Sequence, residues 1–248
     1  MAKTGFTLNG LNLRTLALEI LSTSGWDTFP GVKSSGVQYA FTHGEYIGGR
    51  RFYRARDIDL NMIILDTNAA GQVVTTPLEH IEENIETLMG ALHDTFNPLT
   101  LVRTLPSGVT RTAFVRPVDV LRYEDHVGIS RIVTLTLRMG YPFWHGAAFN
   151  QVVSGTTSIT MNGTAPVNDF SVVFTTAGRI THSPTGDYIE SSAAGITVDL
   201  SKHEDNITGG DPADISSNTP WWLQLEKGSN GLVVTGGNKT LSGFHGYF

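Results

Sequence analysis

Alternation of apolar and polar side chains is the strongest pattern in the first part of the chain. Residues 57–64 carry apolar side chains at the even positions, and residues 133–139 repeat the alternation with apolar odd positions. Because a strand points successive side chains to opposite faces, each stretch predicts a half-buried antiparallel strand. Residues 99–104 and 109–115 flank Pro106-Ser107-Gly108, whose turn chemistry predicts a hairpin.

A helical period lies between Thr76 and the stop signal Asn97-Pro98. Pro77 suits the first helical position, where its missing N–H costs nothing, and Thr76 with Glu79 has the spacing of a capping box. The apolar positions recur with helical spacing and form one predicted stripe: Leu78, Ile81, Ile85, Leu88, Met89 and Leu92. One face of this helix is expected to lie on a sheet, which makes the first part an α+β arrangement.

The second part of the chain contains period-two patterns and no helical one. Residues 170–174 and 196–200 alternate, and strands separated by turn signals at roughly 8–12-residue spacing predict a β-sandwich. The chain is therefore divided into two domains, residues 1–147 and 148–248. The fold class is mainly β, with an N-terminal α+β domain that is a sheet or barrel with one helix.

Two adjacent tryptophans stand in the segment 220–234. Strand alternation turns Trp221 inward and Trp222 outward, and Lys227-Gly228-Ser229-Asn230 has the chemistry of a turn, so the segment predicts a β-hairpin. Trp222 is then either a tryptophan at the rim of the core or a platform on which a sugar ring stacks. The second interpretation makes Trp222 a candidate glycan contact.

Composition excludes several classes of protein. The 248-residue chain has a formal net charge of −6, whereas nucleic-acid binding needs a positive field, so we expect no nucleic-acid sequence recognition. Cysteine is absent, which removes disulfides and thiolate zinc sites and suits a reducing cytoplasm. Neither a signal-like apolar run nor a segment of membrane-spanning length occurs, so we expect no membrane insertion.

Catalytic motifs are missing from the sequence. The 8 histidines lack metal-ligand spacing, and neither a Gly-X-Ser-X-Gly motif nor a phosphate-binding loop occurs. Asp187 and Glu190 lie three apart on a predicted strand, so they point to opposite faces rather than across a cleft as a glycosidase pair does. We therefore expect no enzymatic activity, no metal and no cofactor.

Residues 50–56, with the sequence RRFYRAR, form the densest group of basic side chains. One interpretation is an exposed strand with arginines on its solvent face. The other is a protein interface, because arginine and aromatic residues are enriched in interfaces. The candidate interface residues are Arg50, Arg51, Phe52, Tyr53, Arg54 and Arg56.

Short motifs follow one another in a definite order along the chain. The first part carries Leu8-Asn9-Gly10, Gly36-Val37-Gln38-Tyr39, Gly48-Gly49-Arg50, the strand 56–60, the capped helix, Asn97-Pro98-Leu99 and Tyr141-Pro142-Phe143-Trp144. The second part carries the strand 196–200, Trp221-Trp222-Leu223, the segment 226–230 and Tyr247-Phe248. This order resembles the distal tail protein (Dit) family of long, non-contractile phage tails, which often carries a galectin-like β-sandwich as its second domain.

The resemblance implies a structural virion protein, made in the host cytoplasm and located at the tail tip. The first domain would close into a homohexameric ring between the major tail tube protein and the tail-tip, tail-associated lysin or baseplate proteins. Head-to-tail interfaces that close generate such rings, and residues 50–56 are the candidate subunit or tube contact. The galectin-like domain leaves an alternative open, a carbohydrate-binding module that contacts host-surface glycan through Trp222.

Overall fold

The structure of the chain is a computed structural model. It describes residues 5–13, 18–24, 30, 32–33, 52–65, 72, 75–93, 97–118, 122–125, 130–201, 206–218 and 223–248. Contacts between residues divide the chain into two compact units, Met1–Trp144 with Phe248 and His145–Tyr247. Over the described ranges, every helix is too short or too polar to span a membrane.

Antiparallel strands and a single α-helix make up the described part of the first unit. The strands are β1 (Gly5–Leu8), β2 (Leu11–Asn12), β3 (Leu18–Ser24), β4 (Val32–Lys33), β5 (Phe52–Tyr53), β6 (Arg56–Leu65), β7 (Leu99–Thr104), β8 (Thr110–Pro117), β9 (Arg122–Asp125) and β10 (Ser130–Met139). Strands β3, β6, β10 and β8 lie side by side, and the ladder continues through β7 and β1 to β2. Strand β9 also pairs with β10, while β4 and β5 form a separate pair.

The two longest strands of this unit confirm the predicted alternation. The apolar even positions of β6 are fully buried: Ile58, Leu60, Met62 and Ile64. The odd positions of β10 lie opposite them, with Leu135 facing Leu60, and the buried ones are Val133, Leu135, Leu137 and Met139. The predicted hairpin is confirmed too, because β7 pairs with β8 and Gly108 at the turn takes a φ of 83°.

The predicted helix is confirmed as α1 (Pro77–Leu92), between β6 and β7. Proline occupies its first turn as expected. Thr76 stands at the N-cap but makes no side-chain capping bond, so the part of the predicted capping box assigned to its hydroxyl is wrong. The exposed Thr76 leaves the first N–H groups of the helix to other partners.

The buried face of α1 is narrower than the predicted stripe. Ile81, Ile85 and Leu88 are buried, whereas Leu78 and Met89 are 62% and 53% exposed. Successive helical residues are turned by about 100°, so Leu78 and Met89 come to one side of the buried line rather than onto it. The inclusion of these two side chains in the core-facing stripe was wrong.

The second unit contains strands and one short 3-10 helix over its described residues. The strands are β11 (Trp144–Met161), β12 (Phe170–Phe174), β13 (Gly178–His182), β14 (Tyr188–Ser191), β15 (Ile196–Asp199), β16 (Ile207–Thr208), β17 (Ile215–Ser217) and β18 (Gly228–Tyr247), and the 3-10 helix is Pro212–Asp214. The first residue of β11, Trp144, belongs to the first unit by its contacts.

Strand β18 contributes to two ladders because it changes partner along its length. Its first half pairs with β13, with Val234 opposite Ile180, and its second half pairs with β12, with Leu241 opposite Val172. Between the two halves, Gly236 and Gly237 have φ angles of 71° and 87°, which favour glycine at this corner. Both ladders bury side chains in one hydrophobic core, the two-layered packing expected of a β-sandwich. The chain is mainly β with one helix, as predicted.

The predicted hairpin of residues 220–234 is wrong. Leu225 forms an isolated antiparallel bridge with Val167, and residues 232–234 pair with Ile180–His182 of β13. Gly228 to Asn230, assigned to a turn, already belong to β18. Turn chemistry is local, whereas the partner of a strand is chosen by packing at a distance, and here the distant partner prevailed.

The boundary between independently folding domains stays a prediction. Contacts separate the units at Trp144 and His145, a few residues before the predicted division after residue 147. Strand β11 runs without interruption through that position, so residue 148 lies inside a strand.

Candidate protein interface

The structure separates the members of the predicted arginine interface. Phe52–Tyr53 form β5 and pair with β4, Phe52 opposite Lys33, while Arg50 and Arg51 lie outside the described residues. Arg54 is exposed between β5 and β6. The described part of the cluster therefore offers Arg54 to a partner.

Arg56 is placed differently from Arg54. It is only 5% exposed, and its Nη2 donates to Met139 Sδ at 3.6 Å. The cause is its position at an even residue of β6, on the same face as Ile58, directly opposite Met139 in the register. Within a single chain Arg56 supports the sheet interior and does not share an exposed face with Arg54.

The outward face of β6 and β10 carries a ladder of polar pairs. Thr134 Oγ1 donates to Asn61 Oδ1 at 2.9 Å, Thr136 Oγ1 donates to Asp59 Oδ1 at 2.8 Å, and Arg138 donates through Nε and Nη2 to the two oxygens of Asp57 at 2.7 and 2.9 Å. The bond from Arg138 lowers the pKa of the Asp57 carboxyl below its ordinary value. Such cross-strand pairs fix the strand register while leaving one face of the sheet polar.

Strand β8 turns large side chains outward. Ala113 and Val115 are buried, whereas Phe114 and Val118 are 47% and 43% exposed. Arg116 lies between them, is exposed, and stands opposite Arg138. The amide of Val118 donates to Thr136 O at 3.0 Å, which extends the register by one residue. Phe114, Arg116 and Val118 therefore share one face; we call them the β8 stripe.

Helix α1 exposes a second apolar and charged surface. Leu78 and Met89 lie about three turns apart on the same side, and the exposed Glu82 and Glu86 are turned by about 40° and about 80° from Leu78 around the helix axis. We call these four residues the α1 edge. Glu82 Oε1 also accepts a bond from Arg131 Nη1 of β10 at 2.5 Å, which holds the helix over the buried face of the sheet.

The second unit presents a mixed aromatic and charged cluster on β13 and β14. The Arg179 guanidinium lies 4.0 Å from the centre of the Tyr188 ring and donates to Glu190 Oε2 at 2.6 Å, which raises the pKa of Arg179. Asp187 is buried and accepts a bond from Thr185 Oγ1 at 2.7 Å. Asp187 and Glu190 therefore accept hydrogen bonds from different residues, Thr185 and Arg179. Trp222 lies outside the described residues.

Metal ligation finds no support in the described ranges, where no group of three or more His, Cys, Asp or Glu side chains is close enough to hold an ion.

His245 is a buried histidine near the end of β18. It is 8% exposed, its ring lies 5.6 Å from that of Phe149, and its Nδ1 accepts a bond from the Asn162 amide at 3.3 Å. Burial lowers the pKa of His245 below its ordinary value of 6.5. The folded state therefore favours the neutral form of the His245 ring.

We expect the stability of the protein to fall as the pH is lowered from 7 to 5. Because the folded pKa of His245 lies below the unfolded one, the unfolded chain binds a proton first, and the stabilisation is complete only above about pH 6.5. Melting temperatures across this range should show a smaller slope in His245→Gln. His93→Gln provides the comparison, because it removes an imidazole that is exposed rather than buried. An equal slope in wild type and His245→Gln would contradict the assignment.

Comparison with known proteins gives matches in structure alone. Neither a protein-family model nor a curated protein matches the sequence. The crystal structure of the SPP1 Dit (gp 19.1) protein, described as a paradigm of the hub adsorption apparatus in phages that infect Gram-positive bacteria, matches with a TM-score of 0.65 and 17% identity over 97% of this chain and 98% of that chain. This chain shares the fold of that Dit protein.

The shared fold confirms the resemblance inferred from the order of motifs, at the level of architecture. A second match, to the baseplate of phage p2 in its activated conformation with Sr, has a TM-score of 0.49 and 8% identity over 97% of this chain and 98% of that chain. The polar ladder, the β8 stripe and the α1 edge all lie in the first unit of this chain. The alternation in the sequence predicted the polar face of β6 and β10, but the β8 stripe and the α1 edge were not predicted.

Proposed function

We propose that this chain is a structural hub protein of a phage tail tip, which joins the tail tube to the adsorption apparatus. The observation that supports the proposal is the match to the SPP1 Dit protein over nearly the full length of both chains. A match at that coverage includes both units rather than one common β-domain. The proposed protein is non-enzymatic and takes no cofactor.

The proposal includes a homohexameric ring built by the first unit. One face of the ring would rest on the major tail tube protein, and the other would carry tail-tip, tail-associated lysin or baseplate proteins. A ring of identical chains needs two different surfaces that fit each other head to tail. The first unit has exposed apolar and charged side chains on both α1 and β8, which is compatible with such an arrangement.

Light scattering on the purified protein tests the ring. We expect a particle of about six times the 26.9 kDa chain mass that persists on moderate dilution and shrinks as salt is raised, because exposed charge pairs are screened. Combined Arg51→Glu and Arg54→Glu should reduce the particle if residues 50–56 form a subunit contact. An unchanged mass in that variant would exclude the segment from the subunit contact, and leave a tube contact or a solvent-exposed strand.

Labelling of intact phage tests the location. Gold-conjugated antibodies raised against the second unit should bind at the tip of the tail in electron micrographs. Label confined to the capsid or absent from virions would overturn the hub assignment, even if the protein formed rings in solution.

A carbohydrate-binding module is the second candidate function. The observation in its favour is the Arg179, Tyr188 and Glu190 cluster, since a ring face and paired charges are the groups that stack on and hydrogen-bond to sugars. A glycan array should show specific retention that is lost in Tyr188→Ala and in Trp222→Ala. Retention of no glycan above background would leave the structural role alone.

A further inference from the structure

Polar side chains form a line of hydrogen bonds where the turn between β13 and β14 meets the start of β18. His182 Nδ1 lies 2.9 Å from Thr185 Oγ1, which lies 2.7 Å from Asp187 Oδ2. On the other side of the ring, His182 Nε2 lies 3.2 Å from Asn230 Oδ1. His182 is 1% exposed and Asp187 is 7% exposed. We call His182, Thr185 and Asp187 the His182 trio.

The backbone of the turn holds the trio together. The His182 amide donates to Asp187 O, and the amides of Thr185 and Gly186 both donate to His182 O. Moving the three side chains apart would require opening this turn. The contacts between them are therefore built into the fold of the second unit.

The orientation of the Asn230 amide follows from its backbone partners. Its Nδ2 donates to the carbonyl oxygens of Glu226 and Gly228, and its Oδ1 accepts from the Glu226 amide. An amide turned the other way would set donor against donor and acceptor against acceptor at these contacts. Asn230 therefore presents an oxygen to His182 Nε2, and that nitrogen carries a proton.

The hydrogen bonds of the trio need three protons. One proton lies between Nε2 and Asn230 Oδ1, one between Nδ1 and Thr185 Oγ1, and one between Thr185 Oγ1 and Asp187 Oδ2. A neutral histidine ring supplies one of them, the threonine hydroxyl supplies a second, and an ionised aspartate supplies none. Without the third proton, lone pairs would face each other at 2.9 or 2.7 Å next to two buried residues, which is unfavourable where water cannot compensate.

The other ionisable side chains on the neighbouring segments have different surroundings. Arg179 of β13 donates to Glu190 of β14 and lies over the Tyr188 ring. Before β18, the side chains of Glu226 and Lys227 are exposed. The carboxylate that side-chain hydrogen bonds join to the histidine ring is that of the trio itself.

We propose that the His182 trio holds three protons in the folded protein up to mildly alkaline pH, one more than the same side chains hold in the unfolded chain. The trio then has either an imidazolium with an ionised Asp187 or a neutral ring with a protonated Asp187. The two arrangements differ by the shift of two protons along the hydrogen bonds, and in both of them Nε2 donates to Asn230. The trio carries no net charge in either arrangement, which makes its burial less costly.

The extra proton makes the second unit sensitive to alkaline pH. Above about pH 6.5 an unfolded histidine is neutral and an unfolded aspartate is ionised, so the folded trio binds one proton more than the unfolded chain. The stabilisation is complete below about pH 6.5 and is lost as the pH rises, until the folded trio releases its proton. Over that range the equilibrium constant of unfolding should rise by up to about tenfold per pH unit.

Asp187→Asn tests the proton count, because the variant carries the third hydrogen covalently. Its amide donates to Thr185 Oγ1, the hydroxyl donates to His182 Nδ1, and the neutral ring still donates to Asn230. The variant needs no extra proton. Urea denaturation between pH 7 and pH 9 should therefore show in wild type an alkaline loss of stability, up to about tenfold in the equilibrium constant per pH unit, that is missing from Asp187→Asn.

Asp214→Asn is the matched control. Asp214 Oδ1 accepts from Ser192 Oγ at 2.6 Å, a contact for which the serine hydroxyl supplies the proton. This variant removes a hydrogen-bonded carboxylate of the same unit without changing the trio, so it should keep the pH dependence of wild type.

Carbon and nitrogen NMR of the wild-type protein gives a measurement that needs no variant. At pH 8 we expect protons on both ring nitrogens of His182, or an Nε2 proton together with a protonated Asp187 carboxyl. A neutral His182 ring with an ionised Asp187 at that pH would overturn the proposal. The same conclusion would follow if wild type and Asp187→Asn lost stability equally between pH 7 and pH 9.

Discussion

Gly178→Ala should lower the free energy of unfolding by about 3–5 kcal/mol, since it combines a strained backbone with a collision. Gly178 has a φ of 143°, a conformation that side-chain-bearing residues rarely adopt. An added Cβ would also overlap the carbonyl oxygen of Thr235. That oxygen belongs to β18 and cannot retreat without disturbing the pairing between β13 and β18. Gly236 approaches the Ala177 backbone in the same way. The two segments of the chain therefore pass so close together that neither has room for a side chain at this point.

Gly186→Ala separates the effect of backbone strain from the effect of the steric collision. Gly186 has a φ of 75°, but a Cβ there meets no atom within 4 Å, so the variant should lose only about 1–2 kcal/mol from backbone strain. Urea denaturation of both variants and wild type gives the comparison. Equal losses in the two variants would mean that the strand crossing relaxes and that the collision contributes nothing.

The features that could be predicted from sequence are those encoded by neighbouring residues. The alternation in β6 and the helical period of α1 are local, and the structure places both elements at the expected residues. Burial of Ile58 and Leu60 follows from the same alternation. Such a pattern predicts which side chains are buried even when the element that packs on them is unknown, because an apolar face is buried whatever its partner is.

The width of a buried face could not be predicted in this way. Helical spacing gathers Leu78 and Met89 with Ile85, yet only Ile85 is buried. How far a helix sinks onto a sheet depends on the shape of the sheet, which the helix sequence does not contain. The same limit applies to residues 232–234, whose partner β13 lies far from them in the sequence.

In the candidate interface, one sequence pattern did not specify a surface, and another pattern that does specify one was missed. A basic cluster in sequence does not specify a face, and Arg56 is buried because it occupies an even position of β6. The β8 stripe carried a usable signal that was overlooked. With Ala113 and Val115 turned inward, Phe114 must point outward, and a large aromatic side chain on the outer face of a strand indicates an interface.

Asn230 shows how a residue of turn-forming type can serve a different purpose. The sequence assigns it to a turn on the basis of its tolerance for positive φ, but Asn9 is the sole non-glycine residue with positive φ in the described ranges. Asn230 is fully buried. Its Oδ1 accepts from the Glu226 amide at 2.7 Å, and its Nδ2 donates to Glu226 O at 2.8 Å and Gly228 O at 3.0 Å. The side chain thus binds the backbone that leads into β18.

Asn230→Ala should lower the free energy of unfolding by about 2–4 kcal/mol, because it leaves buried backbone donors and acceptors without partners. His182 Nε2, which lies 3.2 Å from Asn230 Oδ1, loses a neighbour as well. Asn238→Ala is the matched control, since Asn238 is an exposed residue of the same strand and surface changes alter stability by only about 0.5 kcal/mol or less. Equal urea midpoints for the two variants would contradict the bonded role of Asn230.

Asn230→Asp then identifies which half of the amide matters. The variant keeps an oxygen for the Glu226 amide but loses both bonds from Nδ2, and it brings a negative charge against the Glu226 and Gly228 carbonyl oxygens. If the donated bonds hold the segment, Asn230→Asp should be destabilised at least as strongly as Asn230→Ala at neutral pH. It should recover part of its stability as acid neutralises the carboxylate, because a carboxyl without a cationic partner is more easily buried uncharged. A stability close to wild type at neutral pH would instead show that the single accepted bond from the Glu226 amide is sufficient to fix the start of β18.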